Sequence, residues 1–92
     1  MPDKSVRPED VLADDADFAT FHGVRVRKGT IKAAMDNMEM LNSGDPADHA
    51  AALAMLRDLA PGLVALGVHR HFICRNPDAE AILEQAARDL DL

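Results

Sequence analysis

Gly23-Val24-Arg25-Val26-Arg27-Lys28-Gly29-Thr30 decides how this chain is read. Valine and arginine alternate with period two, which puts both valines on one face and both arginines on the other, as in a half-buried strand. Glycines bound the run on both sides. Thr30 is predicted to cap a helix, because the next residues change to helical spacing: Ile31, Ala34, Met35, Met38 and Leu41 fall on one stripe. Asn42-Ser43-Gly44 ends that helix with turn residues.

Reading toward the C-terminus, Asp45-Pro46 opens a second helix with a capping side chain before a proline at the first position. Its core stripe is Leu53, Leu56, Leu59 and Ala60. Pro61 lacks an amide proton and clashes with the preceding turn, so either the helix kinks there or Pro61 starts a new short helix that Gly67 terminates, the second being the expectation. The mixed run Val68 to Cys74, with Phe72 and Ile73, reads as a second strand. Asn76-Pro77 then repeats the cap-and-proline opening, before a last helix with its stripe at Ile82, Leu83, Ala86 and Leu90.

The expected fold class is therefore α+β, mostly α: a small two-stranded sheet, about 24–28 and 68–74, covered by three to five helical segments. Either strand direction is open. A parallel pair needs a long crossover, which the intervening helices supply. Phe18, Phe21 and Phe72 are the only aromatic residues, and they are expected to anchor the core.

Toward the N-terminus, residues 1–17 hold six acids and few apolar groups. They read as an acidic, loosely attached arm, with a short helix around 8–13 and a single globular domain over 18–92. Ninety-two residues hold one core. The hydrophobic share of 48% and charged share of 28% are those of a folded domain, not of a disordered chain. A single cysteine, Cys74, forms no intramolecular disulfide, which fits a reducing compartment. The opening residues lack a signal-peptide apolar run, and no apolar stretch approaches membrane-span length. A cytoplasmic location is the expectation.

The charge is unevenly placed. Residues 23–32 carry Arg25, Arg27, Lys28 and Lys32 with no acid, and residues 68–75 carry Arg70 and Arg75 with no acid. The remaining segments are acidic, and the chain nets −6. The plainest account is a solvated basic sheet face. A second is contact with an acidic helix of another chain. A third is a small-anion site at the strand-to-helix turns, built from Arg25, Arg27, Lys28, Gly29, Thr30 and Arg75, because helix N-termini present unpaired amides. Parallel neighbouring strands would bring both turns to one edge. No phosphate-loop or dinucleotide glycine pattern is present. The acidic composition and scarcity of aromatics disfavour nucleic acid.

His69-Arg70-His71 is the one metal candidate. On a strand, residues two apart share a face, so both imidazoles could reach one ion, with His22 as a third ligand if the two strands pair and Cys74 on the opposite face. Satisfied strand histidines are the commoner case, and no cofactor is expected. Cys74, with His71 three residues before it, matches no cysteine-enzyme signature. The Asp14-Asp15 pair lies in the polar arm, where nothing tunes a carboxylate for proton transfer. Met35, Met38 and Met55 fall at core spacing, while Met40 leaves the stripe and suggests a surface for a partner. The leading expectation is thus a non-enzymatic protein-association domain, self-associating as a homodimer through its small core and unprotected strand edges. A small-anion binder is the alternative.

Overall fold

The computed structural model describes residues 17–92, so the expected acidic arm and its short helix lie outside the described residues. The order of elements is β1 (Phe18–Phe21), β2 (Val24–Arg27), α1 (Thr30–Met40), α2 (Pro46–Ala65), α3 (Val68–His71) and α4 (Pro77–Leu90). The class is α+β and mostly helical, with one two-stranded sheet.

The sheet is not the one expected. β2 stands where the alternation placed it, but its partner is β1, antiparallel, with Phe18 opposite Arg27 and Phe21 opposite Val24. Two residues join the strands, His22 (φ 49) and Gly23 (φ 78). Positive φ at both is the geometry of a tight hairpin turn whose twist matches that of the strands. Residues 68–71 form a helical turn instead, and residues 72–76 are irregular. The long crossover and the convergence of two strand-to-helix turns fall with that strand.

α1 begins at Gly29 (φ 89), and Thr30 is its first residue rather than its cap. The Thr30 hydroxyl donates back to the Arg27 carbonyl at 2.7 Å, tying the buried helix start to the strand. The buried stripe of α1 is Thr30, Ala34 and Leu41, with Met38 half-buried. Ile31 and Met35 point outward, against expectation.

α2 opens as expected, with Asp45 Oδ1 accepting from the Ala47 amide at 2.9 Å and Pro46 at the first position. It continues past Pro61 as one helix, where a new helix was expected to start. Magnitudes explain this. An internal proline costs about 3 kcal/mol, whereas Leu63 and Val64, both buried beyond it, contribute roughly 1.5–3 kcal/mol each. Continuing the helix keeps them in line with Ala52, Leu56 and Ala60. Gly67 (φ 89) stops the chain just after the helix.

His49 Nε2 lies 3.9 Å from Asp78 Oδ2, so α2 and α4 start side by side. From Ala65 the chain must therefore return along α2 for about 24 Å, the rise of sixteen helical residues. α3 and residues 72–76 make that return. Asn76 then caps α4, its Oδ1 accepting from the amides of Asp78 at 2.9 Å and Ala79 at 3.2 Å.

α2 is the hub, packed against α1, α4, α3 and β2. Alanines at 34, 52, 60, 79 and 86 make up half of the main core cluster, with Leu41, Leu56, Leu63, Val64 and Leu83. Small side chains let the helices approach closely but bury little area each. Phenylalanine does not anchor this core: Phe21 is half-buried, while Phe18 and Phe72 are exposed. Leu90 and Met55, expected inside, are also exposed.

Candidate functional site

Cross-strand pairing sets the two faces of the hairpin. Ala19, Phe21, Val24 and Val26 share the inner face, and buried Val26 packs toward Gly62 of α2. Phe18, Thr20, Arg25 and Arg27 share the outer face. The Arg25 guanidinium stacks 3.7 Å from the Phe18 ring centroid, and that of Arg27 lies at 5.4 Å. Cation–π contact accounts for Phe18, an apolar ring kept on a wet face by two arginines.

An open groove of about 460 Å³ runs between this hairpin and α2. Arg25, Arg27, Lys28, Gly29 and Thr30, five of the six predicted anion residues, line it, with the Arg25 and Arg27 guanidiniums lying toward Phe18 on the outer face. Among the described residues, the start of α1 has no side-chain cap and no acid in its own first turn. Asp58 contributes a carboxylate to the same groove, which no local sequence signal announced. Arg75 does not line it; it sits on the return segment before α4, because the strand that would have brought the turns together is absent.

The histidines are not brought together. His69 and His71 sit on the helical turn α3, where residues two apart point about 200° from one another. His22 occupies the hairpin tip. Among the described residues, no three His, Cys, Asp or Glu side chains are grouped to hold a metal ion. His69 instead has both ring nitrogens buried with no hydrogen-bond partner, a rare condition for a polar side chain. The Cys74 amide donates to Glu80 Oε1 at 2.9 Å. Burial, and then the neighbouring Glu80 carboxylate, push the Cys74 thiol above its usual range, so it is a protonated thiol rather than a nucleophilic thiolate.

Two features escaped the sequence reading. Phe72 and Ile73 are 69% and 81% exposed, adjacent on the return segment between Arg70 and Arg75. A second open groove, of about 580 Å³, lies between α2 and α4, with Leu53, Ile82 and Leu90 among its apolar lining and Arg57, Asp78 and Asp89 among its charged groups. The signal for both was the length of α2, hidden by Pro61. Among the described residues, no helix is long and apolar enough to cross a membrane.

The chain matches no protein-family model, no curated protein and no solved structure.

Proposed function

We propose that this chain works by association, in the first place with a second copy of itself. Exposed Phe72 and Ile73 carry the reading. Burying two such side chains at a contact recovers roughly 1.5–3 kcal/mol each, before the entropic cost of association. Isolated exposed apolar residues are ordinary, but two adjacent ones on a basic segment form an anchor of the kind found at the centre of interfaces. Ile31 and Met35, four apart on the outer side of α1, add a second apolar strip. Sedimentation equilibrium at micromolar protein is expected to return the mass of a dimer. The double variant Phe72→Ser/Ile73→Ser is expected to return the monomer with an unchanged far-UV spectrum. A strict monomer of the unaltered chain overturns self-association.

A second reading is favoured by one observation, the gathering of Arg25, Arg27, Lys28, Gly29 and Thr30 on one groove at the uncapped start of α1. Here the groove holds a small phosphate- or carboxylate-bearing anion, and Asp58 limits its total charge by repulsion. Inorganic phosphate is expected to raise the melting temperature, and Arg27→Glu to abolish the rise. An unchanged rise in that variant removes the reading.

A further inference from the structure

We infer that the seat of Phe72 and Ile73 is the groove between α2 and α4 of a second copy of this chain. The inference rests on the self-association proposed above and names its surface. Shape comes first. The groove, about 580 Å³, is lined by Leu53, Ile82 and Leu90, and because Phe72 has extended backbone, one side chain of the pair enters it while the other packs at its rim. Alanines 81 and 86 keep it shallow. Within one molecule the two surfaces do not meet, since Phe72 and Ile73 stay mostly exposed.

Charge identifies the occupant. The segment 68–75 carries Arg70 and Arg75 and no acid, whereas α4, one wall of the groove, presents acids to it. Asp78 and Asp89 line the groove itself. A basic anchor thus faces an acidic wall, and both belong to every copy. Charge pairing of this kind steers the partner and sets the register, while the apolar pair supplies the burial. Arg57, on the α2 side, is the one cation on the lining among the described residues, and it biases the basic segment toward the α4 wall. In a two-fold dimer each copy gives one anchor and receives one, so the contact closes and does not propagate.

Complementation tests this. One variant removes the anchor, Phe72→Ser/Ile73→Ser. The other blocks the groove, Ala81→Arg/Gln85→Arg, at two exposed positions of α4. Each alone retains no anchor–groove contact and is expected to weaken dimerisation at least about a hundredfold, with an unchanged far-UV spectrum. An equimolar mixture regains one intact contact and is expected to form heterodimer, detected by native mass spectrometry. If the groove-blocked chain still dimerises, or the mixture gives no heterodimer, the groove is not the seat, whatever else covers it. Should the groove-blocked chain misfold, Arg75→Glu mixed with Asp89→Arg repeats the test with opposite charges. Failure of this pair to associate better than either variant alone overturns the inference. A monomeric unaltered chain would refute self-association itself, a result distinct from these.

Discussion

Replacing Gly62 with alanine is expected to stabilise the protein, although Gly62 faces the hairpin at close range. Gly62 lies inside α2, where glycine costs about 0.8–1.0 kcal/mol relative to alanine through lost backbone entropy. A Cβ there would sit 3.5 Å and 3.7 Å from the two Val26 methyls and 3.6 Å from Thr30 Cγ2. These are ordinary van der Waals separations, each giving roughly 0.1–0.2 kcal/mol of attraction. Both terms have the same sign and total about 1–1.5 kcal/mol. At roughly 4–8 °C per kcal/mol for a domain of this size, the melting temperature is expected to rise by about 4–12 °C. Gly67→Ala is the control. Gly67 has φ 89 with nothing within 4 Å of a new Cβ, so only backbone strain acts. That strain costs about 1–2 kcal/mol, and the melt moves down. Thermal unfolding followed by circular dichroism reads both. A lower midpoint for Gly62→Ala would show that β2 cannot tolerate one methyl group there and would refute the packing argument.

Leu56 is 2% exposed, and Leu56→Ala is expected to cost about 2.7–5 kcal/mol in a denaturant titration, a large part of the roughly 5–14 kcal/mol typical of a domain of this size. Asn76→Ala removes the acceptor for two α4 amides and is expected to cost about 0.5–2 kcal/mol by the same assay; no loss would mean that water replaces the cap. His69→Leu is expected to raise the melting midpoint, because it removes two buried ring nitrogens that have no partners; a fall would show that the imidazole is satisfied. Cys74 is expected to react with iodoacetamide more slowly in the native chain than in urea at mildly alkaline pH, since its thiol holds its proton more tightly when folded. The sign for stability follows: this contribution is complete below the ordinary thiol range and is lost as pH rises through the raised folded value, so Cys74→Ser should flatten the alkaline decline.

Local chemistry made part of this fold legible. Asp45-Pro46 and Asn76-Pro77 state their helix starts in two residues each, and both caps form with the side chains named. The Val24–Arg27 alternation identified β2 and its two faces. The partner strand carries no such signal, because Phe18-Ala19-Thr20-Phe21 does not alternate, and His22-Gly23 is not the Asn-Gly or Asp-Gly pair that marks a two-residue hairpin turn. On α1 the expected stripe holds at Ala34, Met38 and Leu41 and fails at Ile31 and Met35, while Thr30, a polar residue, is buried with its hydroxyl bonded to the Arg27 carbonyl. Of the basic cluster, the part contiguous in sequence stays together in space. Arg75 and Asp58 depend on tertiary placement, which no spacing encodes.

Pro61 governs the rest. Read as a break, it divides residues 46–67 into two short helices and leaves 68–74 free to be a strand. Read as a proline inside one continuous helix, it makes α2 twenty residues long. A chain that caps its next helix beside His49 must then travel back along most of that length in about ten residues. A β-paired strand at 68–74 would be held at the sheet instead of making this journey. The helical turn α3 and the irregular residues after it cover the distance, and Phe72 and Ile73 are carried over the outside of the helical core. Their exposure is thus a consequence of helix length rather than of local hydropathy. The length of α2 thus both removes residues 68–74 from the sheet and exposes the side chains proposed for association.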